Sequence, residues 1–132
     1  MYVETDFLVA LFRPDDWLHD QASATVEDET RYVHTSLLAY VEFLTLAYEP
    51  GTGIPFDVPR AVANLLEAVP IEPERDEEAA LAAATFLDEH DATPFDAFHG
   101  GISITGDGEV HSSDGIYDEL GLDRLPLEPE EK

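Results

Sequence analysis

The run Tyr2-Val3-Glu4-Thr5-Asp6-Phe7-Leu8-Val9-Ala10-Leu11-Phe12 opens the chain with two carboxylates set between apolar neighbours. Tyr2–Thr5 reads as a short strand, and Phe7–Phe12 either continues it or begins a helix. In an extended segment Glu4 and Asp6 would point the same way, because side chains alternate along a strand. Alternatively, Asp6 caps a helix beginning at Phe7. Outward from this run, helical and extended patterns alternate. Trp17, Leu18, Ala22 and Val26 place one apolar stripe on a helix over Asp15–Asp28. Tyr32–Thr35 is a second strand candidate, and Thr35 or Ser36 can cap the apolar helix that follows to Tyr48. Glu49–Pro59 reads as a loop. Asp57 or Val58 opens the next helix, with Pro59 in its first turn. Arg75–His90 is alanine-rich and helical. Thr93-Pro94 starts a helix to about Ile104, Val110–Ser112 is a strand, Ile116–Leu120 a short helix, and Arg124–Leu127 closes the pattern.

Short strands alternating with helices imply an α/β fold, a three-layer α/β/α sandwich around a central, mainly parallel sheet. One domain over residues 1–127 with an acidic tail, 128–132, is expected from the length of 132. In such sheets the working crevice lies beyond the carboxyl ends of the strands.

Composition narrows the function. Six basic residues against 30 acidic ones leave a net charge of 6 − 30 = −24, and the only lysine is Lys132. A basic patch is therefore excluded. Near molar salt the Debye length falls to about 3 Å and self-repulsion is largely screened, so this surface suits a salt-filled, halophilic cytoplasm. The absence of cysteine excludes disulfides, thiolate zinc sites and a cysteine nucleophile. No apolar run reaches the roughly 18 residues of a membrane span, and Met1–Asp6 lacks the positive start of a secretory signal, so a cytoplasmic location is expected.

Most of the acids need only be a solvated face. Four locations resist that account. Glu42 is the only charged residue between Tyr32 and Tyr48, on a helix apolar enough to be buried over most of its circumference. A buried carboxylate there needs a partner, unless it lies on a wet edge. Glu4 and Asp6 stand at the carboxyl end of the first strand. Asp96, three residues after Thr93, either closes a capping box or faces the crevice. Asp114 follows a strand end within Ser112-Ser113-Asp114-Gly115, which also suits an ordinary turn. Asp118, one helical turn on, can reach the same space. His99 lies three residues after Asp96 and either lines the pocket or is simply packed. No histidine pair at i, i+4 flanks a glutamate, so a zinc hydrolase is not expected.

Taken in order, Glu4-Thr5-Asp6-Phe7-Leu8, the lone Glu42, Thr93-Pro94-Phe95-Asp96-Ala97 and Ser112-Ser113-Asp114-Gly115-Ile116-Tyr117 resemble the PIN-domain ribonucleases, closest to the VapC-type toxins of toxin–antitoxin pairs. The match covers nearly the whole chain. It departs at the start, where Glu4 stands for the family's aspartate and Asp6 for its asparagine. The resemblance implies a ribonuclease that leaves 5′-phosphate and 3′-hydroxyl ends, with RNA as substrate and no preference for DNA. It also implies an antitoxin partner and a homodimer.

Oxygen ligands alone select a hard ion, Mg²⁺ or Mn²⁺. Asp96 and Asp114 are then the principal ligands, Glu42 a ligand or the group that orients the attacking water, and Glu4 and Asp6 complete the ring. Thr5 and Ser112 would bond these carboxylates or a phosphate oxygen, or merely finish a strand. Arg13 is the candidate phosphate contact. Two alternatives stand beside this reading: a PIN-like protein that binds without cutting, and a free-standing RNA-processing nuclease. A receiver- or phosphatase-like domain needs a lysine near the phosphoryl group, and Lys132 is badly placed for it.

Overall fold

The computed structural model describes residues 1–49, 57–72 and 75–129. The central sheet has three parallel strands in the order β1 (Tyr2–Val3), β2 (Glu109–Ser112), β3 (Asp123–Pro126). Single bridges, Tyr2 to His34 and Thr35 to Ile71, continue it beyond β1. The second expected strand, Tyr32–Thr35, is therefore reduced to isolated bridges. It is held by Val3 N–H donating to His34 O at 2.9 Å and Thr35 N–H to Pro70 O at 2.9 Å.

Alternation along the strands sorts the core into two layers. Val3 packs with Phe7, Leu8, Tyr40, Phe43, Leu65 and Leu127 under α1 (Thr5–Phe12), α2 (His19–Glu27), α3 (Leu37–Ala47) and α4 (Val58–Ala68). Tyr2 and Val110 face the other way, against Tyr117, Leu120 and Leu122. There they meet Phe86 of α5 (Asp76–Glu89), Ile102 of α6 (Pro94–Thr105) and α7 (Ile116–Glu119). The result is the expected α/β/α sandwich. Each fully buried side chain such as Phe7 or Leu8 contributes about 1.5–3 kcal/mol.

The caps follow local chemistry. Ser36 Oγ accepts from Ala39 N at 3.3 Å, Asp57 from Arg60 N at 3.2 Å, and Thr93 Oγ1 from Asp96 N at 3.2 Å with Pro94 beginning the helix. α5 and α6 lie unusually close. A Cβ at Gly101 would stand 2.5 Å from the Ala79 carbonyl oxygen, so only glycine permits this approach, which anchors the helix carrying Asp96.

Three expectations are corrected. The opening run is not extended past Glu4: α1 begins at Thr5, so Glu4 is its N-cap and Asp6 lies in its first turn. The helix expected from Asp15 begins only at His19, because Asp16 accepts from Leu18 N at 2.9 Å in a tight turn after Pro14, leaving Trp17 exposed. α3 is buried only along Ala39, Tyr40 and Phe43, whereas Leu37 (63% exposed), Val41, Leu44 and Tyr48 form a bare stripe on its outer side. Among the described residues it packs on one side only. The expected Glu49–Pro59 loop and the end of the acidic tail lie mostly outside the described residues, although Leu127 is buried and Glu128 is bonded by Arg124 at 3.0 Å. No described helix is long and apolar enough to cross a membrane.

Candidate active site

Beyond the carboxyl ends of β1 and β2, five carboxylates are delivered by different elements. Glu4 follows β1 at the N-cap position of α1, Asp6 sits in the first turn of α1, Glu42 on α3, Asp96 in the first turn of α6, and Asp114 just after β2. Glu4 lies deepest, 6% exposed. Ser112 Oγ donates to its Oε1 at 3.1 Å and the Tyr117 hydroxyl to its Oε2 at 2.9 Å. Ser112 Oγ also accepts from Asp114 N at 3.0 Å, and Asp114 Oδ1 accepts from Ile116 N at 3.0 Å, which sets the turn into α7.

Electrostatics ties these groups into one crevice. Burial pushes Glu4 up to about 8, with Asp6 adding to the rise and the hydroxyls of Tyr117 and Ser112 opposing it. The Glu4 carboxyl donates to the Asp6 carboxylate, so the two behave as a pair with Glu4 holding the proton. Asp6 lies at the open mouth. Its pKa is nevertheless raised, by loss of solvent to the surrounding protein and then by the charges of Asp114, Glu42 and Asp16, while the bond from Glu4 pulls it down. Asp96, half-buried, is raised by burial and by Asp114 and Glu42, against the pull of Thr93 and His99. Asp114 and Glu42 thus act on both Asp6 and Asp96, and Glu4 is tied to Asp6.

Glu42 has a partner. His99 Nε2 bonds Glu42 Oε1, and His99 Nδ1 meets the Tyr2 hydroxyl at 2.6 Å, which in turn meets Ser36 Oγ at 2.7 Å. Among the described residues no three histidine, cysteine, aspartate or glutamate side chains stand in an arrangement that would hold a metal ion. Like charges repel, and drawing these acids to ligating distance requires a cation. The donors are all oxygen, which fits a hard divalent ion in kind.

The PIN-domain family model matches residues 1–121. The chain belongs to the PIN-domain family. A solved structure of the same fold is that of VapC20 from Mycobacterium tuberculosis, titled a toxin that cleaves the sarcin–ricin loop. It is 21% identical, with a TM-score of 0.68 over 92% of this chain and 95% of that one. A search of curated protein sequences finds no match.

In this PIN domain three of the expected site residues stand apart from the acids. Asp118 is turned to Arg124, whose Nε donates to Asp118 Oδ2 at 3.0 Å while its Nη1 holds the Ser112 carbonyl and Glu128. A carboxylate paired on the outer side of α7 is a poor ligand, so Asp118 leaves the ring. Arg13 is exposed at the far end of α1, where its backbone N–H closes the helix on Val9 O. Thr5 Oγ1 is buried without a hydrogen-bond partner among the described residues, and it bonds none of the carboxylates. Two groups contribute beyond the acids. Tyr117, three residues after Asp114, bonds Glu4 through its hydroxyl. His99, expected either to line the pocket or to be packed, is buried and bonds Glu42.

Proposed function

We propose that this PIN domain is a Mg²⁺- or Mn²⁺-dependent ribonuclease, the toxin of a toxin–antitoxin pair working in a salt-rich cytoplasm. The observation that supports it most is the raising of Asp6 and Asp96, by burial first and then by the charges of Asp114 and Glu42, four acids from four separate segments with no lysine or arginine bonded to them among the described residues. Asp6, Glu42, Asp96 and Asp114 would hold the cation, with Glu4 behind Asp6. When bound, the cation neutralises these acids and polarises the scissile phosphate. The protein does the rest. Ser112 and Tyr117 keep Glu4 in place, Glu4 keeps Asp6 at the mouth, and the cap at Thr93 aims Asp96. Glu42, its side chain 22% exposed and bonded by His99, would orient water for attack.

RNA affinity usually comes from lysine and arginine displacing counterions, a gain that shrinks in concentrated salt for any protein. A cation bridging acids and phosphate therefore loses little by the lack of lysine. The test is thermal melting with and without Mn²⁺ in concentrated KCl, alongside RNA cleavage. The expected result is a higher melting temperature and cleavage with Mn²⁺, both lost in Asp96→Asn and Asp114→Asn. A parent protein indifferent to Mn²⁺ rules the reading out, and cation-independent RNA binding without cleavage would favour the non-catalytic alternative.

The reading includes a homodimer. Its support is the bare stripe Leu37, Val41, Leu44 and Tyr48 on α3, an apolar surface of the kind that marks interfaces. Light scattering in concentrated KCl should give twice the chain mass, and Val41→Glu should halve it. A monomeric parent would remove this part of the proposal.

A further inference from the structure

His99 is among the most deeply buried polar residues described, 1% exposed, although it sits on a helix whose first turn opens onto the acidic crevice. Burial obliges both of its ring nitrogens to find hydrogen-bond partners, and the partners they have found lead to Glu42. Nδ1 is bonded to the Tyr2 hydroxyl and Nε2 to Glu42 Oε1, and the Tyr2 hydroxyl is braced by Ser36 Oγ, which also caps α3 by accepting from Ala39 N. The chain of contacts runs from the cap of α3, through β1 and α6, and back to α3 at Glu42.

An ionised Glu42 can only accept, so Nε2 carries the hydrogen, and in the neutral ring Nδ1 then accepts from the Tyr2 hydroxyl. Glu42 Oε1 is therefore committed to His99, and Oε2 has no protein hydrogen bond among the described residues. His99 stands three residues after Asp96 on α6, so its bond to Glu42 holds that side chain beside the turn that carries Asp96. A glutamate has three rotatable bonds, and an unbraced one would spread its carboxylate over several positions.

We infer that His99 is the positioning residue of Glu42: it holds Oε1, and Tyr2 and Ser36 hold His99, so that one defined oxygen of Glu42 is presented to the cation and the attacking water. This rests on the cation-dependent nuclease reading given above. Partners that orient a ligating group commonly change metal affinity or activity 10–100-fold when removed.

The experiment compares the parent, His99→Leu, His99→Gln and Tyr2→Phe in concentrated KCl, each first shown to be folded by its melting curve. Three quantities are read: the apparent Mn²⁺ dissociation constant from melting titrations, kcat and KM for RNA cleavage, and the imidazole ¹⁵N spectrum without metal. Glutamine can place its amide nitrogen near the Nε2 position and still donate. The expected results are an Mn²⁺ affinity weakened about tenfold or more in His99→Leu, largely restored in His99→Gln, and weakened several-fold in Tyr2→Phe. The loss should fall on kcat rather than KM. In the parent spectrum Nε2 should carry a proton whose resonance moves in Glu42→Gln.

Should His99→Leu fail to fold, His99→Gln and Tyr2→Phe decide the matter. Folded His99 and Tyr2 variants with the parent's Mn²⁺ affinity and kcat would overturn the inference while leaving the nuclease reading intact. A parent that binds no Mn²⁺ would overturn both.

Discussion

Asp6→Asn is expected to lower cation-dependent RNA cleavage about a hundredfold or more, the rate equivalent of roughly 3 kcal/mol, whereas Glu4→Gln should keep most of it. The reason is depth. Both Glu4 oxygens are occupied, by Ser112 and Tyr117, while Asp6 stands at the mouth and senses Asp114 and Glu42. Glu4→Gln carries a second signature, in stability. The folded protein holds Glu4's proton up to about pH 8, whereas the unfolded chain releases it near 4.5. Between those values the native state binds more protons than the unfolded one, so metal-free stability falls as pH rises, by up to a few kcal/mol once pH exceeds 8. Glutamine does not titrate. Melting curves from pH 5 to 9 should therefore slope downward for the parent and be flatter for Glu4→Gln, which becomes the more stable of the two at high pH. Equal slopes, or a cleavage loss in Glu4→Gln as large as in Asp6→Asn, would reverse the assignment of inner and outer acid.

Moving the parent protein from dilute buffer to molar KCl should raise its melting temperature by at least ~10 °C. At about 4 °C per kcal/mol for a domain of this size, that is roughly 2–3 kcal/mol. The charge of −24 is poorly compensated within the fold. Among the described residues the arginine ion pairs are those of Arg31 with Asp28, Arg75 with Glu78, and Arg124 with Asp118 and Glu128, all at or near the surface. Such pairs contribute little individually. What remains is repulsion among unpaired acids, which shrinks as the Debye length contracts from about 10 Å at 0.1 M to about 3 Å at 1 M. Calorimetry in KCl and in an equally ionic strength of NaCl checks this. A melting temperature that stays level or falls with salt would remove the halophilic reading, and would leave the acidic crevice as the main use of the negative charge.

Much of the architecture was decided by short-range chemistry and could be read from neighbouring residues. Thr93-Pro94 begins a helix because a hydroxyl can take Asp96 N–H and proline has none to lose, and the structure has α6 there. Ser36 and Asp57 act in the same way. The strand at Val110–Ser112, and the acids placed just past strand ends, followed from the same kind of reading.

Features set by contacts between distant segments could not be read in this way. That Glu42 meets His99, 57 positions away, depends on how α3 and α6 pack across Tyr2. That Glu4 is inner and Asp6 outer depends on α1 beginning at Thr5, where helix-forming burial of Phe7 and Leu8 overrides the extended alternative. Asp118 has the spacing of a ligand, yet Arg124 on the neighbouring strand reaches it first. Spacing along the chain therefore settled where the side-chain-capped helices α3, α4 and α6 begin, since those bonds close within a turn. Which acid faces the crevice, how deeply, and against which partner was settled only by packing, because burial and charge coupling exist only once separate segments share the same space.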